Sequence, residues 1–139
     1  MRPLFAKGIL SASVVGEEIG QASGLKMCYA AYTKGTTALL ASILTLAEKL
    51  DVRDALEARW DENWPGFDTA SHKRICQSAP KAWRFAGEMK EISKAFDEFG
   101  LPSGFHAAAQ EIFGLLREYK DAQALPDIEA VLRSLTEQR

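Results

Sequence analysis

Cysteine is scarce in this chain: its 139 residues contain two, Cys28 and Cys76, far apart and in no metal-type spacing. With only two histidines to add to them, no structural zinc or other metal is expected. The simplest reading of two isolated thiols is a reduced, cytoplasmic protein. Charge of one sign is also lacking. Seventeen Lys and Arg face 19 Asp and Glu, for a net charge of −2. So small an excess gives no broad field to attract nucleic acid or an anionic membrane, and neither is expected as a partner. No apolar run approaches the roughly 18 residues that cross a bilayer. The opening "MRPLFAKGILSAS" has an early arginine and a small-residue "SAS", but Lys7 breaks an apolar run already too short for a signal peptide. Finally, the ten glycines nowhere form G-x-G-x-x-G, and no βαβ alternation is visible, so a dinucleotide-binding loop is missing from the sequence.

What is present reads as helix. Hydrophobic residues make up 47% and charged residues 26%, the balance of one globular domain. "ILSASVVG" is strand-like, but one strand cannot form a sheet. Beyond it, Leu25, Tyr29, Tyr32, Thr36, Leu39, Ile43, Leu46 and Leu50 alternate by threes and fours, which places them on one face of a long helix. That seam is expected to be core, with the tyrosine hydroxyls at its rim. Asp51 is expected to cap a short helix over 52–62. "NWPGF" reads as a turn, after which Asp68 would cap a helix through Gln77. Pro80 suits the first turn of a helix to Phe99, stopped by Gly100. Ser103 would cap a helix to about Lys120, and Pro126 would open the last helix, ending near Glu137. The expectation is an all-α bundle of about six helices with one long N-terminal helix.

"GQASGLKMCYAAYTKGTT" poses the functional question, because each helix-interior glycine costs about 1 kcal/mol relative to alanine. Lys26 sits roughly 100° round from the Leu25 seam. It shares a lane of small side chains with Ser23, Ala30, Thr33 and Thr37. Such a lane suits a lysine engaged in proton transfer, with Gly20 and Gly24 giving a ligand close access. It equally suits a surface lysine whose stem covers apolar surface beside a tight helix contact. Three further residues carry the same double reading. Arg84 is either an anion clamp for a substrate or the partner of Glu88 four residues on. Trp83 is a pocket wall or packing. His106, in the first turn after Ser103, donates to a substrate oxygen or simply caps and packs. Lys34 reads as solvated.

The blocks "GQASGLKMCYAAYTKGTTALLASILTLAEKL" and "APKAWRFAGEMKEISKAFDEFGLPSGFHAAAQEIFGLL" resemble the C-terminal helical domain of the β-hydroxyacid dehydrogenases. That family includes 3-hydroxyisobutyrate and 6-phosphogluconate dehydrogenases, and the nearest branch is the one with a 6-phosphogluconate dehydrogenase-like C-terminal domain. The likeness covers most of residues 14–120. Gly20, Ala22 and Lys26 fit the family pattern G-x-[GA]-x-x-x-K, which implies that Lys26 is the general acid/base. In the functional reading of their own positions, Ser23, Trp83, Arg84 and His106 are the expected substrate-side residues. A K-D-L motif near the nicotinamide aligns with Gly87, Glu88 and Met89, implying cofactor contact by Glu88. Two family side chains are replaced: Ala30 stands for an asparagine, and Gly87 for the lysine of K-D-L. The implied function is the substrate-side and dimerisation domain of an NAD(P)-dependent oxidoreductase. Residues 1–16 are then a remnant of, or linker from, a Rossmann domain, and residues 17–139 the helical domain. NAD or NADP would bind only with a Rossmann partner, in cis or in trans, and the domain itself would form a homodimer. Turnover is not expected of the chain alone. The rival reading is a non-catalytic helical module for dimerisation or small-ligand binding.

Overall fold

The structure, a computed structural model, describes residues 20–137. The strand-like stretch and the proposed remnant over 1–16 lie outside them. Six α-helices account for most of the described chain: α1 (Gln21–Lys49), α2 (Arg53–Asn63), α3 (Phe67–Ser78), α4 (Ala82–Glu98), α5 (Gly104–Gly114) and α6 (Ile128–Glu137). Short 3₁₀ turns occupy Ala79–Lys81 and Arg117–Tyr119. No strand occurs among the described residues, so the all-α bundle with a long first helix is what forms.

α1 is the axis of the bundle and packs against each of α2 to α6. Its buried residues are Thr37, Ala38, Ala41, Leu44, Thr45 and Ala47. Most are small, which lets neighbouring helices approach closely. The two threonine hydroxyls are satisfied within α1, Thr37 donating to the Thr33 carbonyl at 2.7 Å and Thr45 to that of Ala41 at 2.8 Å. Bulk comes from the other helices and the turn after α5: Ile75, Met89, Phe113, Leu116 and Leu132 are almost fully buried. Phe85 meets Phe113 edge-on at 5.4 Å, tying α4 to α5.

The expected seam is not the core. Tyr29 is 69% exposed, Tyr32 66%, Leu46 58% and Leu50 62%, with Leu25 and Leu39 also exposed. The helix buries instead the face that takes in the lane beginning with Lys26, roughly 100° or more round from the seam. Five helices converge on α1, and only small side chains fit where they converge.

The helix ends differ from expectation in a consistent way. Asp51 does not cap α2. It closes α1 in a left-handed conformation (φ 57°), with the Val52 N–H donating to the Ala47 carbonyl at 2.9 Å. Asp68 lies inside the first turn of α3, whose start is Gly66 at φ 81°. Gly100 does stop α4, at φ 72°. Ser103 precedes α5 but its hydroxyl makes no capping bond, and α5 ends at Gly114, short of Lys120. α6 begins two residues after Pro126, because Asp127 accepts from the Ala130 N–H at 2.8 Å.

Arg53 fastens the far end of the bundle. Its guanidinium reaches Glu48 of α1 at 3.1 Å and Glu57 of α2 at 3.5 Å, and grips Glu129 of α6 with both terminal nitrogens. His72 of α3 contacts the same Glu57 at 2.5 Å. Four helices therefore meet at one charge cluster. The hydrogen bond from Arg53 holds the Glu129 carboxyl below its ordinary range. A depressed acid stabilises the fold above its unfolded pKa, and that contribution disappears as pH falls through the folded value. On acidification below about pH 4.3, Glu129→Gln should therefore lose less stability than the wild type. Urea denaturation at stepped pH measures this, and parallel curves would refute the clamp. Truncating the lane itself is harsher: Leu44→Ala should cost about 2–5 kcal/mol, and a loss below about 1 kcal/mol would show that this face is not the core.

Candidate functional site

Every residue from Gln21 to Tyr29 is exposed on all sides of α1. The first turns of the helix thus project past the end of the bundle. Lys26 and Ser23 stand on this overhang, on the lane that farther along carries Thr37, Ala41 and Leu44 into the core. They face the uncovered end of the bundle, and among the described residues neither forms a hydrogen bond or ion pair.

His106 meets α1 at Ala31, about 7.5 Å along the axis from Lys26 at the helical rise. Its Nε2 lies 3.2 Å from the Ala31 carbonyl and donates to it, and the ring stacks on Phe96 at 4.8 Å. Nδ1 is buried without a partner. His106 is thus held by packing, with its one bonded nitrogen spent on the backbone. The glycine that permits this is Gly35, where an added Cβ would stand 3.1 Å from Nε2. That answers part of the glycine puzzle: this glycine of α1 serves helix packing. Gly20 and Gly24 have open space around them, and Gly20 starts the helix at φ 97°.

Arg84 and Glu88 do not pair. Glu88 is taken by Lys34, whose ammonium also lies 4.7 Å over the Phe85 ring. Lys34 is half-buried at 26% side-chain exposure, so it is not the solvated lysine its sequence position implied. The signal was present: Phe85 and Glu88 are three apart on α4, one helical turn, and offer a lysine a ring and a carboxylate together. Arg84 rests at the edge of Trp83, 6.0 Å from the ring centre, and Lys120 lies over the same ring at 4.5 Å. Trp83 and Arg84 are both exposed. The expected site residues therefore fall into three groups. Ser23 and Lys26 occupy the overhang, His106 and Glu88 are fixed against the middle of α1, and Trp83 with Arg84 opens α4.

Beside His106 lies a groove of about 500 Å³ between α1 and α5. Ala31, Gly35, Leu39, Phe105, Ala109 and Ile112 make it mainly apolar, and Thr36, Ser42 and His106 supply the few polar atoms. Neither cysteine belongs to it. Cys28 is exposed and Cys76 half-buried, its thiol pushed up by burial and then by the charge of Asp127. No cluster of metal ligands occurs among the described residues.

Residues 47–116, from the last turn of α1 through the end of α5, match the family described as Domain of unknown function (DUF1932). The chain belongs to that family. The DUF1932 domain is a C-terminal helical domain of the NAD(P)-binding β-hydroxyacid dehydrogenase-like family. Trp83, Arg84, Glu88 and His106 fall within the matched stretch, and Ser23 and Lys26 precede it. A solved structure, of the conserved hypothetical protein from Sinorhizobium meliloti 1021, is 27% identical over 91% of this chain, with a TM-score of 0.75. This DUF1932 chain spans 44% of the length of that protein. No curated protein matches it.

The Gly35 contact offers a direct check. Gly35→Val should force the His106 ring from Phe96 and destabilise by about 1–3 kcal/mol, as overpacking does. Histidine ring shifts in an NMR spectrum report the displacement. An unchanged spectrum with unchanged stability would show that the ring does not occupy that space.

Proposed function

We propose that this DUF1932 chain supplies the substrate side and the subunit contact of an NAD(P)-dependent oxidoreductase of the β-hydroxyacid dehydrogenase type, in its 6-phosphogluconate dehydrogenase-like branch. The observation that carries the reading is the position of Lys26. It sits on the core-facing lane of α1, one to two turns beyond the point where the bundle covers that lane. A dinucleotide-binding domain closing on this end, from the same chain or another, would complete a cleft around it and exclude water. Lys26 Nζ would then give a proton to the oxygen of a carbonyl being reduced, or take one from the hydroxyl being oxidised. When bound, the nicotinamide is what supplies or accepts the hydride.

The fit of this chain to the cofactor is partial. No glycine loop is present to cradle a pyrophosphate. Glu88 is the one residue proposed to meet the nicotinamide, and its carboxylate is anchored by Lys34. Phosphate binding therefore falls to the partner domain. Trp83, Arg84 and Ser23 are the proposed substrate contacts. In this reading His106 acts by holding α1 in place. Localisation in the cytoplasm and a homodimeric assembly belong to the same proposal. Among the described residues no helix is long and apolar enough to cross a membrane.

One set of observations favours a non-catalytic module instead. Ala30 and Gly87 stand where the family places polar groups, and the apolar groove could hold a small ligand without any chemistry. The two readings separate in one experiment. The chain alone should bind NADH or NADPH no more tightly than about 1 mM by calorimetry. Fused behind a dinucleotide-binding domain it should reduce a 2- or 3-oxo acid, and Lys26→Ala should cut that turnover by about 10²–10⁴-fold. The same change should leave stability within about 1 kcal/mol. Undiminished turnover of the fused Lys26→Ala protein would remove Lys26 from the mechanism and leave the module reading standing.

A further inference from the structure

The exposed stripe on α1 has a repeat of its own. Leu25, Tyr29, Tyr32, Thr36, Leu39, Ile43, Leu46 and Leu50 are spaced 4, 3, 4, 3, 4, 3 and 4 apart. This is the 3.5-residue period of a coiled-coil seam, sustained along the whole helix. A seam of that period is complementary to another helix laid along it at a shallow angle, and poorly matched to a sheet or a loop. No helix of this bundle occupies it, for six of the eight residues are exposed. Seven turns of apolar surface, roughly 38 Å long, are unusual on a free helix.

We infer that α1 of a second copy covers this stripe, running antiparallel, and that the α1–α1′ pair is the core of the homodimer interface. The inference rests on the dimeric part of the reading above and not on its chemistry.

Four features select a second copy in this orientation. The spacing is palindromic. Reversing the helix about the point between Thr37 and Ala38 sets Leu25 on Leu50′, Tyr29 on Leu46′, Tyr32 on Ile43′ and Thr36 on Leu39′. Every layer then joins one bulky residue to an aliphatic or small one. A parallel pair would instead stack Thr36 on Thr36′ and crowd two layers of paired tyrosines. The flanks are also compatible. Along the two borders of the seam Lys26 comes opposite Ala47′, Lys49 opposite Cys28′ and Gly35 opposite Ser42′. No like charges of α1 itself meet there; at the middle Thr33 comes opposite Leu40′, and Arg74 of α3 edges the seam through its bonds to Thr33 and Thr36. The area is sufficient as well. Six exposed seam residues offer on the order of 600 Å² per copy, so the pair buries about 1,200 Å², the lower bound for a specific interface. The antiparallel arrangement also lays each overhang along the bundle-supported half of its partner, which a parallel pair would not do.

Three measurements test this. Sedimentation of the wild-type chain at tens of micromolar should give a dimer. Tyr32→Asp with Leu46→Asp should weaken that dimer by at least about 100-fold while leaving the helical circular dichroism unchanged, because both side chains are exposed in the single copy. In a Cys76→Ala background carrying Lys49→Cys, a short bis-maleimide should join Cys28 of one copy to the introduced thiol at position 49 of the other. Without Lys49→Cys the reagent should not cross-link, since antiparallel register holds Cys28 about 28 Å along the axis from Cys28′. A monomeric wild type overturns both the dimer and this interface. A dimer that survives the two aspartates, or that fails to cross-link through position 49, overturns the interface and leaves dimerisation intact. Cross-linking through Cys28 alone overturns the antiparallel register. The cross-linking test uses near-native protein and stands even if the aspartate variant misfolds.

Discussion

The domain depends on how five helices converge on α1. A helix surrounded this closely must present small residues at the contact, because packing density leaves no space for large ones. Thr37, Ala38, Ala41 and Ala47 meet that requirement, and Leu44 is the one large residue buried on α1. The same constraint explains Gly35. The His106 ring occupies the volume of a side chain that α1 lacks there. It also explains why the flanking helices carry the large core residues, Ile75 on α3, Met89 on α4 and Phe113 on α5. Arg74 of α3 adds a polar fastening, donating to the Thr33 carbonyl and the Thr36 hydroxyl of α1. At the opposite end the Arg53 cluster holds the last turn of α1 to α2 and α6.

This packing rule also governs what could be read from the amino-acid string. The six helices and their order were legible, because their apolar periods and the Gly100 stop are local signals. The face that α1 buries was not. Period identifies a stripe, but it does not say whether the stripe meets its own bundle or another surface. Leu, Ile and Tyr look more hydrophobic than Ala and Thr, so the larger stripe reads as core. The volume available on the crowded side decides otherwise, and volume is a tertiary property. The capping residues failed for a related reason. Asp51 and Asp68 have the right chemistry for a cap, yet the chain closes α1 through a left-handed Asp51 and opens α3 at a left-handed Gly66. A residue type offers a cap, and the path of the loop chooses whether it is used.

The site was legible in part for the same reason. Lys26 was singled out by the small lane around it, and that lane does turn inward. The pair Arg84–Glu88 was a local expectation, since the two are four apart on one helix. Lys34 won the carboxylate because it approaches from α1 with the Phe85 ring beneath its ammonium. The ring and the carboxylate can be read three apart on α4, but which lysine takes them cannot until α1 and α4 are known to touch. The consequence is chemical as well as structural. Glu88 is oriented by a neighbouring helix, so its position reports on how α1 sits against α4.

The overhang of α1 joins these threads. An isolated helical stretch shorter than about 12–15 residues is marginal in water, and the first turns here include Gly24 and follow Gly20. Nothing in the bundle supports Gln21 to Tyr29 laterally. Their helicity is borrowed from the anchored part of α1, and each turn outward has less to hold it. Lys26 sits in the middle of this stretch. Its direction is therefore only as fixed as whatever lies along the overhang: a second α1 on the seam side, a dinucleotide-binding domain on the lane side, or both. The lane lies roughly 100° round from the seam, so both can be covered together, with Lys26 at the border between them. Covering the seam would stiffen the helix that carries the lysine while closing only one side of it. In the proposed arrangement subunit assembly and the placing of a catalytic group would be two loads on one helix, and the apolar outer stripe would be as much a part of the site as the small inner lane.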